Sequence, residues 1–124
     1  MTRTQAQTQT LTYIAVCRLD DIDPETGLAA LVRGEAVALF RTLDDRVFAL
    51  SNYDPYGQAS VLARGIVGTR GDVPFVASPL LKQPFALETG VCIDDPAVSV
   101  PTYDVEVVDG EIRVGARRTD EGAH

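Results

Sequence analysis

The stretch Ser78-Pro79-Leu80-Leu81-Lys82-Gln83-Pro84-Phe85-Ala86-Leu87-Glu88-Thr89-Gly90-Val91-Cys92 decides how the rest of the chain is read. It feeds a loop into a hairpin, in which Phe85 to Leu87 and Val91-Cys92 pair across Glu88-Thr89-Gly90. The same pattern extends in both directions. Val73 to Ala77 reads as a strand entered through the turn Gly71-Asp72. Tyr103 to Val108 and Glu111 to Val114 flank Asp109-Gly110, the strongest two-residue hairpin signal in the chain. Nearer the start, Tyr13 to Cys17 is a short strand closed by the acidic turn run Asp20 to Gly27. Leu28 to Val32 and Ala36 to Arg41 flank Arg33-Gly34-Glu35, read as a three-residue hairpin loop. From Arg46 to Leu50, Val47 and Ala49 alternate with Phe48 and Leu50. Ser51 to Gly65 is irregular, and Ala59 to Arg64 is the best candidate for a turn or two of helix.

Many short strands cut by Gly and Pro indicate an all-β, antiparallel sandwich or small barrel. The domain is expected over 12–114. A polar, aperiodic lead-in (1–11) and a small, charged tail (115–124) are expected to be disordered. With 124 residues the chain suits one domain and buries enough surface to fold without disulfides or metal. A net charge of −7 argues against nucleic acid and anionic membranes, which need clustered Lys and Arg. There is no apolar run long enough to span a bilayer and no secretory leader behind a basic start. Two cysteines far apart, Cys17 and Cys92, make no disulfide framework, so the expected compartment is the cytoplasm.

The opening stretch resembles the second cluster-binding loop of Rieske iron–sulfur proteins, Cys-Pro-x-His followed by an aromatic-led strand and a Thr-Gly turn. Serine stands at the cysteine position and leucine at the histidine position. Such a centre takes two thiolates on one iron and two imidazoles on the other. Here two cysteines and one histidine, the terminal His124, cannot supply that set. In the first loop, a Cys-x-His-x-Gly frame counted back from Gly57 puts Tyr53 and Pro55 at the ligand positions, and a shift by one puts Asn52 and Asp54 there. Neither pair offers a thiolate and an imidazole.

A closer match runs through Asn52-Tyr53-Asp54-Pro55, Gly57, Val61-Leu62, Arg64 to Gly68, Ala77 to Leu80, Lys82-Gln83, Phe85, Thr89-Gly90, Cys92 and Asp94-Asp95-Pro96. It is similar to the small subunits of bacterial assimilatory NAD(P)H-dependent nitrite reductase, a ligand-free branch of the Rieske ferredoxin-like fold. The resemblance implies a non-catalytic subunit with no cofactor of its own. Its implied partner is a large subunit with FAD, an iron–sulfur cluster and sirohaem that reduces nitrite to ammonium. The other reading is a cofactor-free interaction domain of another oxidoreductase, or a free-standing binding module.

The remaining constellations read as structural. Cys17 and Cys92 lie in or beside strands outside any Cys-x-x-Cys spacing and read as packed thiols. The run Asp20, Asp21, Asp23, Glu25 lacks the mid-loop Gly and final Glu of a calcium loop. Ser78 has no histidine to activate it and no Gly-x-Ser-x-Gly elbow, and reads as a loop residue bonding backbone groups. Arg64 to Gly71 is glycine-rich and basic but lacks the Gly-Lys-Ser/Thr of a phosphate loop, so its glycines read as turn formers. No catalytic or metal-ligating residue is assigned. The former ligand loops, with Tyr53, Tyr56, Leu80 and Leu81 as anchors and Arg64, Arg70 and Lys82 as a sparse basic set, form a docking tip for the partner or fill the space a cluster would take; both roles are compatible.

Overall fold

The run Ala36 to Phe40 is apolar at every position, so the strand that contains it can be buried on both faces. In the computed structural model, which describes residues 13–118, this strand is β3 (Glu35–Arg41), and its alternation feeds two cores. Val37 and Leu39 point to one, with Ile22, Ala49, Tyr103, Ile112 and Val114. Ala38 and Phe40 point to the other, with Leu50, Leu62, Val67, Val76, Phe85, Leu87 and Cys92. Burying a side chain such as Phe40 is worth about 1.5–3 kcal/mol.

The chain runs through β1 (Ile14–Arg18), β2 (Thr26–Val32), β3, β4 (Val47–Ser51), β5 (Tyr53–Asp54), β6 (Ala59–Ser60), β7 (Ile66–Arg70), β8 (Val73–Ala77), β9 (Pro84–Ala86), β10 (Thr102–Val108) and β11 (Glu111–Arg117). An antiparallel six-stranded sheet of order β1-β11-β10-β4-β3-β2 curls until its edge strands β1 and β2 meet, giving a nearly closed barrel. Against it lies the three-stranded sheet β7-β8-β9, and β5-β6 form a two-stranded hairpin beside it. Of the expected all-β antiparallel sandwich or small barrel, the fold is the nearly closed barrel.

Local chemistry explains the turns. In Asp109-Gly110 both residues have positive φ, 52° and 81°, as a type I′ hairpin requires. Arg33-Gly34 does the same at 51° and 81°, and Glu35 pairs with Val32. The loop is thus two residues long, not the three expected, because Glu35 is held in the ladder.

The glycine-rich segment 64–71 is likewise not a string of turns. Ile66–Arg70 is strand β7, paired in full register with β8, and Gly68 faces the Phe75 ring, which covers the position a side chain would occupy. Ala59 to Arg64 is not a continuous helix. Ala59-Ser60 pairs with Asp54-Tyr53, and only Leu62–Arg64 makes a single 3-10 turn. At the other end β11 continues through Arg117, past the Val114 at which the sequence reading ends it. The lead-in over 1–11 and residues 119–124 of the expected tail lie outside the described residues.

Candidate functional site

Three segments converge at one end of the three-stranded sheet. Loop 52–58 carries β5 and its turn, residues 62–66 form the 3-10 turn and the start of β7, and loop 78–83 joins β8 to β9. Asn52 ties the first two together. Its carbonyl accepts from Leu62 N at 3.0 Å, and its Oδ1 accepts from Ala63 N at 2.7 Å. Gly65 lies so close to Ala77 that an added Cβ would overlap the Ala77 carbonyl oxygen, which brings the second segment against the root of the third.

The bond between the first and third segments is buried. Ser78 Oγ donates to Asp54 Oδ2 at 2.5 Å, and both residues are essentially without solvent exposure. Asp54 Oδ1 accepts from Tyr56 N at 2.9 Å, while Ser78 Oγ accepts from Leu80 N at 3.2 Å. Ser78 N donates to Gln83 O and Lys82 N to Ser78 O, each at 3.0 Å, closing loop 78–83 on itself. Leu80 then lies over Gly57, where a Cβ would overlap its Cδ1. A buried polar pair with both members bonded is favourable to keep and costly to halve.

This arrangement fixes which side chains of the first loop face inward. Asn52 and Asp54 turn inward and are buried, whereas Tyr53 points to solvent. The pair facing the interior is therefore Asn52 and Asp54, one of the two alternatives the sequence left open. Asp54 as the partner of Ser78 is the residue sequence reasoning missed. The signal was present only as the coincidence of an Asp in one former ligand loop and a Ser in the other.

A Rieske cluster does not fit here. The inward groups are an amide, a carboxyl group and a hydroxyl, none of them a thiolate or an imidazole. Leu81, at the second-loop histidine position, is exposed, and the Ser78–Asp54 bond spans the gap between the loops. Cys92 is fully buried in the core beside Phe85, and Cys17 sits on β1 against the other core. Burial, and secondarily Asp21, pushes the Cys17 thiol above its usual range, which disfavours thiolate chemistry. Among the described residues no three His, Cys, Asp or Glu side chains gather as a metal site.

The seven residues expected to form a docking tip divide into two groups. Tyr53, Leu80 and Leu81 are exposed, at 45%, 47% and 55%, and Ile66, which sequence reasoning passed over, joins them at 69%. Arg64 closes the 3-10 turn and Lys82 is the penultimate residue of loop 78–83, both exposed. Lys82 adopts φ 62°, a left-handed conformation that is unfavourable for a side chain with a Cβ.

Tyr56 and Arg70 are otherwise engaged. The Tyr56 ring lies 6.1 Å from Phe85 and its hydroxyl donates to Asp95 Oδ2 at 2.9 Å. Burial, together with Cys92 and Asp95, raises its pKa well above the usual tyrosine value. Tyr56 therefore supports the tip from beneath rather than presenting an anchor. Arg70 pairs with Asp94 at 2.9 Å and lies over the Phe75 ring at 5.9 Å. Its Cα stands four residues along β7 from Ile66, about 13 Å at the usual strand rise.

The model of the Rieske-like [2Fe-2S] domain family matches residues 12–115. The nitrite reductase (NADH) small subunit of Salmonella typhimurium is 48% identical over 100 residues, covering 80% of this chain and 93% of that protein. The solution structure of the nitrite reductase small subunit from Erwinia carotovora superposes with a TM-score of 0.74 at 47% identity, covering 89% of this chain and 85% of that one. A third match is of another kind. The nitrite reductase large subunit of Klebsiella oxytoca is 40% identical over 101 residues, which cover 82% of this chain and only 10% of that protein.

Proposed function

The chain belongs to the Rieske-like [2Fe-2S] domain family, among its nitrite reductase small subunits, and from that premise we propose that it acts as the non-catalytic small subunit of an NAD(P)H-dependent nitrite reductase. It pairs with the large subunit, which carries the catalysis. The observation that carries this reading is the coverage pattern. The same domain occurs as a whole small subunit in one relative and as a tenth of a large subunit in another. Where both parts share one polypeptide they work at high effective concentration, and a separate chain needs an interface to replace that linkage.

The chemistry of the former cluster site supports a supporting role. Its inward groups hold two loops together through the Ser78–Asp54 bond instead of binding iron. Reduction of nitrite to ammonium therefore draws on redox groups in the partner, for which FAD, an iron–sulfur cluster and sirohaem are the expected set. The reading takes the cytoplasm, where NAD(P)H is the reductant, as the compartment. Among the described residues no helix is long and apolar enough to cross a membrane. The tip formed by loops 52–58 and 78–83 is the docking face in this reading.

The test is co-elution. Mixed with its large subunit, the chain is expected to shift into a single larger species by size-exclusion chromatography and to persist there on re-injection. Two separate peaks at micromolar concentrations of both chains would remove the subunit reading.

A further inference from the structure

Among the described residues, the cations are almost all committed to the chain's own carboxylates and carbonyls. Arg41 pairs with Asp45, Arg46 with Asp44, Arg70 with Asp94, Arg113 with Glu106 and Glu111, Arg117 with Glu35, and Arg118 with Asp104. Arg18 donates to the Asp109 carbonyl and Arg33 to the Gly115 carbonyl. Among the described residues, Arg64 and Lys82 are the two whose side chains have no such partner. Both lie at the tip, on two different segments held together by the Asn52, Gly65 and Ser78 contacts.

The same surface lacks negative charge. In segments 52–58, 62–66 and 78–83 the one acidic residue is Asp54, which is buried and bonded to Ser78. Of the acidic residues outside these segments, Asp95 accepts from Tyr56 and Asp94 pairs with Arg70. In a chain of net charge −7, these three segments thus carry two cations and no exposed carboxylate, with Tyr53, Ile66, Leu80 and Leu81 exposed on the same segments. Lys82 is held there in left-handed backbone geometry, closed by its N–H donating to the Ser78 carbonyl.

We infer that the tip docks into an apolar recess of the large subunit rimmed by carboxylates, with Arg64 and Lys82 as the charge contacts and Tyr53, Leu80 and Leu81 as the buried anchors. This rests on the small-subunit reading and deepens it by naming the chemistry of the surface that receives the tip. The charge complementarity runs opposite to what the overall acidity of the chain suggests. The acidic remainder repels that rim in every orientation except tip-first, which sets register as well as affinity.

The test measures Kd for the large subunit by titration calorimetry at low salt and at about 1 M salt, where the screening length falls to about 3 Å. Three variants remove one positive charge each: Arg64→Gln, Lys82→Asn (asparagine tolerates left-handed geometry) and Arg113→Gln. The Arg64→Gln/Lys82→Asn double variant is expected to weaken binding by about tenfold at low salt, with the difference closing at high salt. Arg113→Gln, on β11 and outside the three tip segments, is expected to stay within about twofold. Tyr53→Ala and Leu80→Ala are expected to weaken binding at both salt concentrations, by about tenfold or more.

If the double variant and both alanine variants bind like the wild type, the inference is overturned and the subunit reading stands. If Arg113→Gln weakens binding as much as the double variant, net charge rather than the tip is responsible, and the inference is again overturned. If the wild-type chain itself does not bind, the subunit reading falls and takes the inference with it.

Discussion

Replacing Ser78 by alanine removes a single oxygen atom that holds two loops together. In the wild type that atom donates to Asp54 Oδ2 and accepts from Leu80 N, in a place where both Ser78 and Asp54 are buried. The substitution leaves no room for a compensating water unless the loops part. A buried acceptor stranded in this way costs about 1–3 kcal/mol, and the lost Leu80 bond adds about 0.5–1.5 kcal/mol. The sum, roughly 2–4 kcal/mol, is a large fraction of the ~5–15 kcal/mol that a domain of this kind has in total. Tm should fall by roughly 8–30 °C, since about 1 kcal/mol moves Tm by ~4–8 °C at this size. Urea melts of Ser78→Ala, Asp54→Ala and the double variant give the coupling directly. The double variant should cost clearly less than the two single costs added together, because removing both partners leaves neither Asp54 Oδ2 nor Ser78 Oγ stranded. The lost acceptors of Tyr56 N and Leu80 N are already counted, one in each single variant. A Ser78→Ala cost below about 0.5 kcal/mol, or strictly additive costs, would show that the loops are held by something else.

Other outcomes follow from particular contacts. Gly34 and Gly90 both have φ near 80°, but open space surrounds Gly34, whereas a Cβ at Gly90 would overlap the Val100 carbonyl oxygen. Gly34→Ala should therefore cost about 1–2 kcal/mol from left-handed geometry alone, and Gly90→Ala distinctly more, as read from paired denaturant melts. Glu35 accepts from the Tyr103 hydroxyl at 2.5 Å, and that bond, with help from Arg117, lowers its pKa below the usual glutamate value. Because the folded state favours the ionised form, the Tm advantage of the wild type over Glu35→Gln should be full at pH 7. It should shrink as pH falls from about 4.5 through the lower folded pKa. An advantage that persists unchanged to pH 2 would contradict that origin.

The parts of this fold that were legible in the sequence are those written in neighbouring residues. Asp109-Gly110 carries its turn type in two letters, and Val73 to Ala77 carries its strand in β-branched and aromatic residues with the bounds observed. The parts that were not legible depend on distant partners. Ile66–Arg70 is a strand because β8 lies beside it and the Phe75 ring covers Gly68, a contact local reading does not contain. Glu35 belongs to β3 because Val32 pairs with it, which shortens the loop by one residue.

The site shows the same division. The absence of cluster ligands could be counted from composition, and the exposed Leu80, Leu81 and Tyr53 could be named. The pairing of Arg70 with Asp94 was not legible in the sequence, because Asp94 is brought to it only by the fold. The Ser78–Asp54 bond joins residues 24 apart in sequence, and nothing in their local spacing points from one to the other.

The most direct measurement is the rate of NAD(P)H-dependent nitrite reduction by the purified large subunit, with and without stoichiometric addition of this chain. The account predicts that adding the chain raises the rate, and that Ser78→Ala and the Arg64→Gln/Lys82→Asn double variant raise it less at equal concentration. A rate unchanged by the wild-type chain, at concentrations where the two chains are shown to be folded, would contradict it.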